Sequence, residues 1–159
     1  RFSALSMDAG EASLVGISSA LIFLVSGLQA RLAETVNYST GVEVVAMVLI
    51  AAGFGFGSYA LYVNRFFSGV VRLQTERNHT VVDSGPYRWI RHPGYLGGMI
   101  TYAAMPVLLE ATWAFIPAAL FVIILIIRTR LEDRFLQQNL AGYREYAARV
   151  RYRLLPLVW

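Results

Sequence analysis

Arg128 and Glu132 stand four residues apart just beyond the chain's last long apolar run, so on a helix they share one face. A planar guanidinium can hold a carboxylate through two parallel hydrogen bonds, and a glutamate can accept from an ammonium. On spacing alone the same two residues read first as an exposed pair contributing about 0.2–0.5 kcal/mol. A second concentration of chemistry lies in residues 84–97, S-G-P-Y-R-W-I-R-H-P-G-Y-L-G, which hold one of the two histidines with Tyr87, Arg88, Arg91 and Tyr95. Gly85-Pro86 marks a turn. Pro93 biases His92 away from helical geometry, which predicts Arg91 and His92 on exposed backbone just outside the next helix. Cysteine is absent, which excludes disulfides, thiolate catalysis and cysteine-ligated zinc, and two histidines do not make a metal site by themselves.

The elements that must position these residues are apolar. With 57% hydrophobic and 15% charged residues and a mean hydropathy of +0.52, the 159-residue chain reads as one integral membrane domain, residues 1–159. The net charge of +4 comes from 14 arginines and no lysine. Five of them fall in residues 64–92 and seven beyond residue 127, flanking apolar runs, which is a membrane-topology pattern rather than a nucleic-acid footprint. The chain opens at Arg1 without a basic, apolar, small-residue cleavage pattern, so no signal peptide is expected, and a short missing N-terminal piece is allowed for.

Residues 12–30 carry no charge and, at about 1.5 Å per residue, span roughly 28 Å, enough for a bilayer core. Residues 44–63 supply a second span, in which Gly53 and Gly57 have the G-x-x-x-G spacing that lets helices approach closely, with a ligand groove as the alternative. Residues 93–127 carry one charge, Glu110, which predicts a hairpin of spans over 94–109 and 111–127 turning at Glu110-Ala111-Thr112, with Pro106 and Pro117 kinking or shortening it. Gly94 and Gly98 repeat the G-x-x-x-G spacing, so Gly97 and Gly98 read as packing positions. By the positive-inside rule the 64–92 loop and the 128–159 tail are cytoplasmic. In that loop 70–73 and 80–82 are β-branched but too short for strands. In the tail Leu136, Leu140, Tyr143, Ala147 and Val150 mark an amphipathic helix with Gly142 as its weak point. The expected fold is therefore all-α: a polytopic membrane helical bundle of about four transmembrane helices plus a C-terminal cytoplasmic amphipathic helix.

The string G-P-Y-R-W-I-R-H-P-G-Y-L-G resembles the signature of the isoprenylcysteine carboxyl methyltransferases and phospholipid methyltransferases. A similar R-H-P-x-Y-x-G occurs in membrane sterol and steroid reductases, which use a reduced nicotinamide. The C-terminal R-T-R-L-E-D-R-F-L, Tyr143 and Tyr146, and V-R-Y-R-L-L-P resemble the methyltransferase pattern; the last string resembles the reductases too. Reductases, however, typically carry asparagine where Gly94 stands, an acidic residue where Gly98 stands, and a cysteine and a lysine-tyrosine-glycine string in the tail.

The resemblance implies S-adenosylmethionine as cofactor, with S-adenosylhomocysteine as product. It puts Arg128 on the substrate carboxylate, as the catalytic residue, and Glu132 on the cofactor. Further cofactor contacts fall on His79, Thr80, Val81 and Val82, on Tyr87, and on His92, Pro93, Gly94 and Tyr95, with Gln74 matching a glutamine upstream. Beside this, Tyr87 and Tyr95 read equally as interfacial aromatics, and His92 as a residue satisfied by a backbone carbonyl. The implied substrate is the carboxylate of a prenylated cysteine, or another lipid-like molecule entering from the bilayer, at a site on the cytoplasmic face. Rival readings are N-methylation of an aminolipid, nicotinamide-dependent reduction, and a non-catalytic protein that only contacts membrane lipids; none calls for a metal or nucleic acid.

Overall fold

The computed structural model describes residues 2–69, 72–156 and 158, and for residues 2–12 and 75 the backbone alone. Val70 and Val71 of the β-branched stretch, Arg1, and Leu157 and Trp159 of the tail lie outside the described residues. Five α-helices follow in order: α1 (Phe2–Leu32), α2 (Thr40–Val63), α3 (Pro93–Leu108), α4 (Phe115–Asn139) and α5 (Tyr143–Arg149). Short 3₁₀ turns form at Thr75–Arg77, Gly85–Arg88 and Thr112–Ala114, and no strand forms among the described residues.

Among the described residues, three segments are long and apolar enough to cross a membrane, Ser13–Leu32, Thr40–Val63 and Thr112–Asn139. Their outward faces carry unpartnered apolar side chains, among them Val48, Phe54, Ile116 and Ile123. Only a hydrocarbon surrounding makes such faces favourable, so the bundle is a membrane protein. The third helix, α3, has 16 residues, about 24 Å at the usual rise, and is shorter than α1, α2 and α4. Pro93 occupies its first turn and Pro106 stands just before its end, so proline bounds it on both sides. Pro117 sits in the first turn of α4, where no intrahelical hydrogen bond is lost.

The hairpin turn forms where Glu110 predicts it. Glu110 adopts φ 50°, and the Ala111 N–H closes the turn onto the Pro106 carbonyl at 3.0 Å. The loop after α1 reaches the same end of the bundle: Val36 N–H donates to the Glu110 carbonyl at 3.2 Å, and buried Gln29 accepts from Trp113 N–H at 2.8 Å. Consecutive helices thus alternate in direction. The 64–92 loop and the tail meet at the opposite end.

α2 and α3 pack most closely, and glycine is the reason. A Cβ on Gly97 would come within 2.6 Å of the Gly53 carbonyl oxygen and the Gly57 nitrogen, and one on Gly53 within 2.8 Å of the Gly97 carbonyl oxygen. The backbones therefore touch only because no side chain intervenes. Gly98 faces the other way, toward Leu125 and Phe121 of α4, so Gly94 and Gly98 do not form one packing pair.

Helix α4 continues past the apolar run through Arg128 and Glu132 to Asn139, so the two share one helix as their spacing predicts, since charge ends a membrane span without ending a helix. One expectation about the tail is corrected. The stripe from Leu136 to Val150 is not one helix: Gly142 takes φ 79° and breaks it, leaving α5 as a short piece folded back. Leu140, Tyr143 and Tyr146 still bury together, with Leu73, Val81 and Val150 packed against them.

Candidate active site

The signature loop is tied down from three directions. Tyr87 is buried, its hydroxyl accepting from Asn64 Nδ2 at 3.2 Å while its carbonyl accepts from the Tyr146 hydroxyl at 2.8 Å. The Arg91 and His92 N–H groups donate to the carbonyls of Tyr152 and Arg153 at 3.0 and 2.9 Å, pairing the signature with the tail. The Arg91 guanidinium meets Asp133 by two bonds, 2.7 and 3.1 Å, and donates to the carbonyls of Val150 and Arg151 at 2.7 and 3.1 Å. Arg91 and His92 are therefore buried rather than on exposed backbone, because the tail covers them. No backbone carbonyl satisfies His92 Nε2. It stands 3.6 Å from Asp133, and its ring lies parallel to that of Tyr95.

Over this platform lies a cleft that is partly open to solvent. Nine of the sequence-predicted residues line it: His79, Thr80, Val81, Val82, Tyr87, His92, Gly94, Tyr95 and Glu132. Sequence reasoning missed Asn64 and Phe67 just after α2, Leu136 on α4 and Leu140 at its C-terminal cap. Tyr143 and Tyr146 also line the cleft; the tyrosine pair carried the resemblance but was given no contact. The Leu136–Leu140–Tyr143 stripe was the available signal, since an apolar face with no helix to cover it must face something.

The electrostatics of the cleft are simple. Burial pushes the Tyr87 hydroxyl up to about 12, the Asn64 hydrogen bond only partly offsetting it, and Glu132 adding to it. Burial raises Tyr143 and Tyr146 further still, and lowers His79 despite the Glu132 carboxylate nearby. At neutral pH these phenols and His79 are uncharged. Arg91 is consumed by Asp133, so Glu132 is the ionisable carboxylate presented to the cleft. Such a wall can accept a cationic group beside an aromatic, partly apolar body.

Three predicted residues lie outside it. Gln74 is buried beneath the 74–79 turn, its Nε2 on the Phe66 carbonyl at 2.6 Å and its Oε1 accepting from Arg77 at 2.9 Å, so it braces the turn that carries His79. Pro93 is fully buried at the start of α3. Arg128 is buried as well, donating through Nε to the Tyr95 hydroxyl at 2.8 Å and through Nη2 to the Gly69 carbonyl. It borders a second hollow, lined also by Val15, Phe67, Leu125 and Tyr95 between α1, α4 and the start of the loop. The Tyr95 hydroxyl in turn donates to Glu132 at 2.5 Å, so Tyr95 stands between Arg128 and Glu132 and borders both hollows.

Comparison with known proteins accords with this arrangement. The chain is 26% identical over 97 residues to the lamin-B receptor of Drosophila melanogaster, a stretch covering 58% of this chain and 13% of that protein. The model of the isoprenylcysteine carboxyl methyltransferase (ICMT) family matches residues 44–138, from the start of α2 to the end of α4, which takes in both glycine-packed helices, the signature loop, Arg128 and Glu132. More than half of the chain being matched, this protein belongs to the isoprenylcysteine carboxyl methyltransferase family of membrane methyltransferases.

Proposed function

We propose that the chain transfers the methyl of S-adenosylmethionine to the C-terminal carboxylate of a prenylated cysteine. The observation that carries this reading is the division of labour around Tyr95: a cleft of mixed polar and apolar lining with Glu132 on one side, an apolar hollow with Arg128 on the other. The cleft suits the cofactor. Glu132 can accept from its ammonium, neutral Tyr87 can donate to its polar atoms, and Leu136 and Leu140 can lie against its apolar parts. The cofactor supplies, when bound, an electrophilic methyl on a sulfonium.

The chain's own task is then binding and orientation. Arg128 would hold the substrate carboxylate, and Val15, Leu125 and Phe67 would exclude water from it, so that the nucleophile is poorly solvated. No general base is needed, since an α-carboxyl with a pKa near 3.5 is already ionised at neutral pH. The exposed apolar faces of the helices would let a prenyl tail approach from the bilayer while the cofactor arrives from water. The basic loop and tail favour the cytoplasmic face for that cleft.

Purified protein in detergent tests this directly. It should bind S-adenosylmethionine and S-adenosylhomocysteine but not a reduced nicotinamide, and should methylate a farnesylated cysteine in preference to an aminolipid. Binding of the nicotinamide alone would convert the reading to reduction, and binding of neither would leave a lipid-contacting protein without catalysis.

A further inference from the structure

Tyr95 is engaged on both sides at once. Its hydroxyl accepts from Arg128 Nε at 2.8 Å and donates to Glu132 Oε2 at 2.5 Å. A guanidinium can only donate and a phenol carries one proton, so the direction of this chain is fixed from Arg128 through Tyr95 to Glu132. The ring is flanked on two sides, lying parallel to His92 with centroids 5.7 Å apart and meeting the edge of Phe67 at 6.3 Å. In a buried chain of hydrogen bonds each member polarises the next. Strengthening or loosening the bond at Arg128 therefore changes how much of the Glu132 charge is spent on the phenol.

On the reading that the cleft takes the cofactor and the apolar hollow the carboxylate, we propose that Tyr95 couples the two sites with positive cooperativity. A carboxylate entering the hollow competes for the Arg128 guanidinium and loosens its bond to the phenol oxygen. The hydroxyl is then a weaker donor to Glu132, whose carboxylate has more of its charge to offer an ammonium across the cleft. Linkage makes the effect reciprocal, so cofactor binding tightens carboxylate binding by the same factor. The relay thus favours filling both sites together.

The test is a binding cycle on the full chain in detergent. S-adenosylhomocysteine, which has no methyl to transfer, is titrated calorimetrically with and without saturating N-acetyl-S-farnesylcysteine, and again with the carboxamide of that ligand. In the wild type the acid should tighten S-adenosylhomocysteine binding by at least about fivefold and the carboxamide should not. In Tyr95→Phe, which keeps the ring and its stacking, the ratio should fall to within about twofold of one. Should Tyr95→Phe fail to fold, the wild-type comparison of the acid with the carboxamide still decides, since the coupling requires the acid alone to tighten binding. A wild-type ratio near one, or a variant ratio equal to that of the wild type, overturns the coupling while leaving the methyltransferase reading intact. No S-adenosylhomocysteine binding by the wild type overturns both.

Discussion

Arg91 and Asp133, 42 residues apart in the chain, meet through two hydrogen bonds of 2.7 and 3.1 Å with both side chains buried. The same carboxylate accepts from Arg153 at 2.9 Å, from Gln137 at 2.8 Å and from the Tyr143 hydroxyl at 3.2 Å. One aspartate therefore joins the signature loop, α4, α5 and the tail beneath the cleft. Its function is to hold the platform on which Tyr87, His92 and Tyr95 sit.

Asp133→Asn should accordingly destabilise the protein by about 3–5 kcal/mol, because it leaves the Arg91 guanidinium buried against an uncharged partner. Arg153→Ala should cost on the order of 1 kcal/mol, since that side chain is 29% exposed and water can replace it around the remaining partners. Thermal or denaturant unfolding in detergent measures both. Equal losses would mean that Asp133 is not the centre of the network.

Gly97→Ala should separate α2 from α3, its new methyl meeting backbone at 2.6 Å, and cost about 1–3 kcal/mol. Gly55→Ala is the matched control. It lies on the same helix as Gly53 and Gly57, yet nothing stands within 4 Å of its added methyl, so the substitution should be neutral or slightly stabilising. Unfolding measurements on the two variants need no ligand, and a stable Gly97→Ala would remove the case for backbone contact.

What could be read in the sequence was local or carried by a motif. The apolar runs announced the helices, Glu110 the hairpin turn, and Gly53 and Gly57 the close crossing, because each depends on residues near in sequence. Nine cleft residues were legible through the resemblance, although their convergence was not. Asp133 was passed over because it stands beside Glu132 in a charged run and nothing local distinguishes the two; its partners lie 42 and 20 residues away. The stripe from Leu136 to Val150 reads as one helix for a related reason, since apolar spacing does not record the φ of 79° that Gly142 takes. Arg128 was set on the substrate with no indication that Tyr95 would lie between it and Glu132, a relation that only folding creates.

Glu132→Ala should weaken S-adenosylhomocysteine binding by about 1.5–3 kcal/mol, some ten- to hundredfold, the loss of one charge-assisted hydrogen bond. Arg128→Ala, measured without substrate, should not weaken it, because Arg128 lines the other hollow and losing its bond to Tyr95 leaves more of the Glu132 charge for the ammonium. Calorimetric titration decides between them. Equal losses would show the two residues acting as one structural unit through Tyr95.

The charge pattern and the alternating helices together predict sidedness. The 64–92 loop and the tail should be reachable from the cytoplasmic side, and the turn after α1 from the opposite side. Single cysteines at Asn78, Tyr38 and Arg149 of this cysteine-free chain provide the labels. An impermeant reagent should modify Asn78→Cys and Arg149→Cys from one side and Tyr38→Cys only from the other; joint labelling of Tyr38→Cys and Asn78→Cys would overturn the arrangement.

The pH dependence of turnover distinguishes the methyl acceptor. A substrate carboxylate is fully ionised from about pH 5 upward, and Arg128 needs no proton exchange to hold it. Within the cleft, His79 is lowered by burial and so is neutral from pH 7 upward, while the Tyr87 hydroxyl is held up to about 12. Neither group titrates between pH 7 and 9, so the rate should be nearly flat there. The stability contribution of Tyr87 has a definite sign: its folded value lies above that of a free phenol near 10, so stability is complete below pH 10 and is lost as pH rises toward 12. A profile taken below pH 9 therefore reports chemistry and not unfolding. An amine acceptor with a lysine-like pKa near 10.4 would behave differently, its reactive fraction climbing about tenfold per unit over the same range. If the purified protein methylated an aminolipid with that rising profile and left a farnesylated cysteine untouched, the carboxylate assignment would fall, and Arg128 would be left as a brace between Gly69 and Tyr95.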